Sequence, residues 1–569
     1  MFLSKATALF AVLAQLVQGQ QVTGIQAGVN KQTGERPSRL DINKLSSQGG
    51  PAWDLFIQAL AAMQTTPEDS WTSWYQIAGI HGLPFKPYNG VEQVPGGDDK
   101  AGYCPHGEIT FVTWHRPYLV LLEQTIHAQA QAIAAKYTGA SAASYKSAAE
   151  TLRLPYWDWA IPESQLPPIT TEPTVKITTP TGPATVHNPL YSYRFQTFPF
   201  PDPDFQDQPL SQFNETKRCV DGAEGSDGIN RYDMISSRLS SSSPRIRSQV
   251  YSALTQGPNF AAMASTGGSS FSLEAPHNTI HQEIGGGPLP RISHTKPVKW
   301  SAFDPVFWLL HANVDRHFAL WQALNPENAT FAHGARGLAV FGTAAGTVTA
   351  DSPLKPFRDD RGEFWTSKRV ESTRVFGYTY PELNDWAVSG EELKKQVAAA
   401  VNKLYGPHAK VVRRARSITG RMGRVPRADN GTAAPARDYA VKIQVDRADL
   451  APFLPCSIEV SVGNVVEGEC TLLSMPMAGV GGAKIPLSLA TNGTAPGGGA
   501  SDAFKAIVEQ MSVVIRKGDG SGLVPAAKVP SLAIEIEGRD VLKPAAGDAF
   551  PEFGPVTAVK VEVGDVVKE

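Results

Sequence analysis

The stretch SLEAPHNTIH, residues 272–281, carries two histidines four positions apart, His277 and His281. On a helix that spacing is about one turn, so both imidazoles leave the same face and can share a metal ion. Four more histidines stand in segments of their own: His81 in IAGIHGLP, His106 in YCPHGEITF, His115 in VTWHRPYLVLLE and His311 in FDPVFWLLHANVDRH. Together they form two groups of three, His81 with His106 and His115, and His277 with His281 and His311. Each group has a helix-borne member among aromatic residues. The other six histidines, His127, His187, His294, His317, His333 and His408, lack ligand-like spacing and read as structural or surface residues. His317 lies six positions beyond His311 and faces another side of the same helix.

All-nitrogen donors suit copper or zinc, whereas magnesium, calcium or manganese would call for carboxylates. Zinc-dependent hydrolysis of the His-Glu-x-x-His kind needs a glutamate after the first histidine, and Asn278 stands there. Two copper ions with three imidazoles each fit better. Dioxygen takes up two electrons, and two Cu(I) ions supply one each.

Helices must position these residues. AWDLFIQALAAM places Trp53, Phe56, Ile57, Leu60 and Met63 on one stripe of helical period. HRPYLVLLEQTIHAQAQAIAAKY predicts a long helix with Pro117 near its start, where proline is tolerated. FDPVFWLLHANVDRHFALWQAL predicts another, opened by Asp304 as N-cap and Pro305 in the first turn. Residues 160–215, rich in proline and threonine, read as a long irregular excursion. After about residue 380 the texture changes. AVKIQVD (440–446), SIEVSVG (457–463), LAIEIEG (532–538) and AVKVEVG (558–564) alternate apolar and polar residues, the period of half-buried strands.

With 569 residues the chain is long enough for at least two domains. A formal net charge of −2 provides no global field toward nucleic acid or an acidic membrane. The expected layout is a signal peptide over 1–20, a metal-binding domain over 21–385, a basic linker over 386–434 and an antiparallel β-sandwich over 435–569. No other run approaches the length of a membrane span. Four sequons, at Asn214, Asn328, Asn430 and Asn492, agree with a secreted, extracellular protein. Residues 410–427 hold seven basic residues and no acidic one, a solvated linker or a protease-processing site. Four cysteines do not build a disulfide scaffold, although Cys456 and Cys470 flank strand-like sequence where they could pair.

The motifs CPHGEITFVTWHRPYLVLLEQ, PHNTIH and FDPVFWLLHANVDRHFALWQ closely resemble the tyrosinase and polyphenol oxidase family of coupled binuclear copper proteins, most of all its secreted fungal members. The resemblance covers roughly residues 22–385 and, more loosely, the C-terminal part. It implies a mainly α fold, a four-helix bundle around the coppers followed by a β-sandwich. It implies that His81, His106 and His115 hold one copper, and His277, His281 and His311 the other. It implies a thioether from Cys104 to His106, Phe307 packing on substrate over the metals, and Glu274 with Asn278 holding a water that helps deprotonate a phenol. Asp315, one turn after His311, is expected to anchor orientation from behind. Tyr378-Thr-Tyr380 resembles the Tyr-x-Tyr signature that closes the catalytic domain.

The activity so implied is ortho-hydroxylation of monophenols by dioxygen and oxidation of o-diphenols to o-quinones. A C-terminal domain would shield the site until a protease cuts at 410–427, with the blocking side chain from around residues 453–463, Phe453 among them. Rival readings are a catechol oxidase with diphenolase activity only, and a haemocyanin-like oxygen carrier. Gly285, Gly286 and Gly287 after His281 are expected to leave a roomy entrance.

Overall fold

The computed structural model describes residues 20–206, 209–221, 227–257, 259–268, 270–407, 436–488, 500–542 and 547–568. The signal-peptide stretch up to residue 19, the basic segment 410–427, His408 and the sequons at Asn430 and Asn492 lie outside the described residues. Among the described residues no helix is long and apolar enough to cross a membrane.

Helix α1 (Gly50–Thr65) buries Trp53, Phe56, Ile57, Leu60 and Met63. Helix α2 (Phe111–Ala134) starts four residues before His115, so Pro117 lies in its interior instead of its first turn. The proline costs the helix one backbone bond, and the residues around it are buried from Phe111 to Glu123 without a break. The proline- and threonine-rich excursion is partly ordered. Its strands β1 (Thr174–Thr179) and β2 (Gly182–His187) pair antiparallel, with Val175 and Ile177 facing inward. That period of two was present in TVKITT beneath the turn-forming composition.

Helix α3 (Tyr232–Gln256) packs on α4 (Glu274–Ile284), and α5 (Pro305–Leu324) runs beside α2. Asp304 caps α5 by accepting the Val306 N–H at 2.9 Å, and buried Arg218 donates to both its oxygens, one bond from Nε and one from Nη2 each 2.8 Å long. Helices α2, α4 and α5 carry four of the six histidines, with α1 packed on α2 and α3 on α4 and α5. Helix α6 (Gly390–Tyr405), capped by Ser389, lays Val397, Val401 and Tyr405 against that body.

The C-terminal part is a β-sandwich with its own core. Its strands are β3 (Ala436–Asp446), β4 (Cys456–Val462), β5 (Val465–Leu472), β6 (Val480–Pro486), β7 (Met511–Lys517), β8 (Ala533–Leu542), β9 (Glu552–Phe553) and β10 (Thr557–Val561); helix α7 (Ala500–Gln510) precedes β7. One sheet has the order β5-β4-β7. The other runs β6-β3-β8, with β9 and β10 both paired to β8. Alternate residues Val441, Ile443 and Val445 of one sheet meet Ile458 and Val460 of the other.

All four cysteines are free and buried. Cys456 stands opposite Leu472 and Cys470 opposite Ile458. The two residues are therefore diagonal across the strand pair, a Cα span of ~7–8 Å, beyond the usual disulfide range. The pairing that the sequence leaves open for them is not made.

A binuclear histidine centre

The six histidines converge. His81 follows the short helix Trp74–Gly79; its carbonyl leaves Gly102 no room for a Cβ, and the Lys299 backbone leaves Gly82 none. His106 stands in the loop before α2, and His115 one turn into it. His277 and His281 share a face of α4, and His311 lies midway along α5. All six are buried, none more than 5% exposed. The donor atoms of His81, Cys104, His106 and His115 lie within 4.8 Å of one another, as do those of His277, His281 and His311.

The outer hydrogen bonds set the tautomers. Nδ1 of His81 meets the Val298 carbonyl at 3.0 Å, that of His115 the Phe111 carbonyl at 2.7 Å, and that of His281 the Thr295 carbonyl at 2.9 Å. A carbonyl only accepts, so each Nδ1 carries the proton and each neutral ring turns an Nε2 lone pair inward. His277 Nδ1 donates likewise to Asn278 Oδ1 at 2.9 Å, while Asn278 Nδ2 donates to the Thr471 carbonyl at 3.1 Å. Nε2 of His277 then lies 3.0 Å from Nε2 of both His281 and His311. For His277 and His281, whose Nδ1 atoms both carry the proton, lone pairs opposed at that distance repel unless a cation sits between them. On the other side, His81 Nε2 is buried with no protein partner.

Burial and the neighbouring imidazoles hold all the rings neutral: His115 is pushed down to about 3, His281 by burial to about 4, and His81, His106, His277 and His311 well below the ordinary value. Neutral imidazole is the form that ligates a metal. The residues thus fit two ions, one per group.

The two groups face each other. The His115 and His311 rings stack with centroids 4.4 Å apart, and His106 lies 6.2 Å from His277. Phe307 touches both sides, 4.7 Å from His81 and 4.1 Å from His311. Phe111 does the same, 4.8 Å from His115 and 5.0 Å from His277. It escaped the sequence reading, yet its signal was there: Phe111 precedes His115 by one turn, as Phe307 precedes His311. Cys104 Sγ lies 3.4 Å from Nδ1 and 3.7 Å from Nε2 of His106, and 3.3 Å from His115 Nε2. Burial pushes its thiol well up, so it is no ready thiolate.

Glu274, the first residue of α4, is fully buried. Its oxygens accept the N–H groups of Gly107 and Thr266, both at 2.7 Å, and the Thr266 hydroxyl at 3.0 Å. Burial pushes its carboxyl up against those bonds. Asp315 touches no ligand imidazole. It accepts from Arg116 Nε at 2.7 Å, Arg39 Nη1 at 3.1 Å and the hydroxyls of Tyr378 and Tyr380 at 2.6 and 2.7 Å. The expected anchor therefore acts on helices: it ties α5 to α2 and to the Tyr-x-Tyr segment beneath the metals. The glycines after His281 do not open an entrance. A Cβ on Gly285 would strike Lys296, on Gly286 Cys219 and on Gly287 Arg238; the last two glycines also need a positive φ. They serve a tight turn.

A helical bundle that presents two facing triads of neutral imidazoles, with a β-sandwich against it, defines a binuclear metalloprotein. Residues 71–324 match the model for the common central domain of tyrosinase. A tyrosinase of Podospora anserina is 36% identical over 68% of this chain and 69% of its own length; one of Neurospora crassa is 33% identical over 68% and 58%. The structure of latent and active mushroom tyrosinase superposes with a TM-score of 0.78 at 26% identity, covering 96% of this chain and 99% of that one. The chain belongs to the tyrosinase family of copper oxidoreductases, whose cofactor is a pair of copper ions and whose co-substrate is dioxygen.

Proposed function

We propose that the protein is a secreted, glycosylated, latent tyrosinase that hydroxylates monophenols at the ortho position and oxidises o-diphenols to o-quinones. The convergence of six inward-facing imidazoles on one cavity spanned by Phe307 carries this reading. Bound copper supplies the two-electron exchange with dioxygen. The chain's own residues do the rest. His81, His106 and His115 hold one ion and His277, His281 and His311 the other, and a Cys104–His106 thioether keeps the second ring in place. Phe307 presents an aromatic face on which a phenol stacks. Phenols ionise near pH ~10, so a nearby base is needed. Glu274, its carboxyl raised by burial, takes that proton through a water shared with Asn278.

Latency rests on the C-terminal sandwich. Thr471 receives Asn278, Ser474 Oγ receives the Val298 N–H at 3.3 Å, and Pro476 packs over Gly107. The end of β5 and the turn after it therefore cover both histidine groups. Leu473, buried at 3% exposure, belongs to neither hydrophobic core and is the side chain we assign to blocking substrate. Phe453 does not serve: it packs on the sandwich's own core, with Lys517 5.8 Å from its ring. A protease cutting within 410–427 would release the cover. The diphenolase-only reading draws on Glu274, whose oxygens are already taken by three donors in this closed form.

The test follows oxygen uptake and quinone formation from a monophenol and its o-diphenol, before and after limited trypsin treatment. Turnover of both substrates, rising on cleavage, is the expected result. Diphenol turnover alone would remove the water-holding role of Glu274 and Asn278. Reversible oxygen binding with no turnover would make the protein a carrier.

A further inference from the structure

Arg447 opens the short helix that follows β3, and its side chain is buried, with the residue 2% exposed. Among the described residues no carboxylate stands within ion-pair distance of it. Its donors go instead to backbone oxygens of one turn: Nε to the Pro476 carbonyl at 2.6 Å and Nη2 to the Leu473 carbonyl at 2.7 Å. Its own N–H donates to the Gly479 carbonyl at 2.8 Å. Gly481, beside the guanidinium's stem, has no room for a Cβ. Burying a guanidinium without a counter-ion is costly, and the bonds that offset it exist only while residues 473–479 wrap around it. Burial accordingly lowers its pKa, with Glu274 across the domain boundary acting the other way.

That same turn is the one laid over the metal centre. Ser474 bonds Val298, whose carbonyl orients His81; Thr471, just before it, bonds Asn278, which orients His277. We infer that Arg447 is the positioning residue of the shield: its guanidinium shapes the 473–476 turn so that Leu473 stays seated over both histidine groups. The inference rests on the latent reading above and names the residue that sets how tight the latency is.

The experiment compares the full-length chain, copper-loaded, as wild type, Arg447→Met, Arg447→Lys and Ser474→Ala, each before and after trypsin trimming. Methionine keeps the apolar stem and removes every donor. The expected result is that Arg447→Met raises the untrimmed o-diphenol turnover by about tenfold or more, since two charge-assisted bonds to the turn are lost. Lysine, which keeps the charge but not the rigid fork of donors, falls between, and Ser474→Ala gives a smaller rise. After trimming all four match, because residue 447 lies C-terminal to the cut. Copper content stays at the wild-type value throughout. A wild type that trimming activates beside an Arg447→Met chain as latent as it would overturn the inference alone. So would activation of Arg447→Met accompanied by tryptic digestion of the sandwich, with Ser474→Ala unchanged, since that is loss of the domain and not of its aim. No response of the wild type to trimming would sink the latent reading itself, and the inference with it.

Discussion

Replacing His277 by alanine is expected to reduce bound copper from two ions per chain to one and to cut phenol oxidation by more than ~100-fold. The magnitude follows from position. Loss of a residue that merely orients a ligand costs ~10–100-fold in metal affinity or activity, so loss of the ligand itself must cost more. His277 is also the hub of its group, its Nε2 at 3.0 Å from both partners, and no other described donor lies close enough to replace it. His81, His106 and His115 remain intact and keep their ion. His317→Ala is the control. That ring is equally buried, on the helix that carries His311, but it meets Tyr405 and Trp159 instead of the other ligand histidines. It should lose stability and keep two coppers. Metal analysis of the two purified variants decides the matter, and a His277→Ala chain with two firmly held coppers would contradict the assignment.

The second large effect is on stability. Asp315→Ala should destabilise the folded chain by about 3–5 kcal/mol, the usual consequence of stripping one partner from a buried ion pair. Here one carboxylate serves two fully buried guanidinium groups, Arg39 and Arg116, and two tyrosine hydroxyls. Arg39 keeps Glu123 at 2.8 Å, whereas among the described residues Arg116 keeps no carboxylate. Burial alone would push the Asp315 carboxyl up; Arg116, Arg39 and the two hydroxyls more than offset it and hold it below its ordinary value. A carboxylate whose folded pKa is depressed contributes stability above its unfolded pKa, near ~3.9, and loses it as pH falls through the folded one. The wild type should therefore lose this contribution in strong acid, and the Asp315→Ala chain should not show that step. Denaturant midpoints across pH report both, and a change under about 1 kcal/mol at neutral pH would refute the keystone role.

The parts of this molecule legible in the sequence are those with a local signature. The pair His277 and His281, the Asp304-Pro305 helix start and the alternating strands from 440 onward each declare themselves within ten residues. What could not be read depends on contacts between distant segments. Asp315 sits one turn from His311, which suggests service to the metal. Its real partners, Arg39, Arg116, Tyr378 and Tyr380, come from three other stretches of chain. The three glycines after His281 look like an open doorway until Lys296, Cys219 and Arg238 are seen filling the space beside them. The resemblance points to residues 453–463, Phe453 among them, as the source of a blocking side chain. The chain that bonds Asn278 and Val298 is instead the end of β5 and the turn after it, and nothing local in TLLSMPM marks that. Phe111 shows the reverse case: it precedes His115 by one turn as Phe307 precedes His311, a periodic signal plainly present in the sequence.

The central claim is that the two histidine groups work as one centre. Its most direct measurement is a copper titration of metal-stripped, trypsin-trimmed protein, following bound copper and quinone formation from an o-diphenol together. The account predicts little turnover while the first equivalent binds and a rise as the second fills the pair, complete at two per chain. Turnover that climbs in proportion to the first equivalent and is complete at one copper per chain would contradict it.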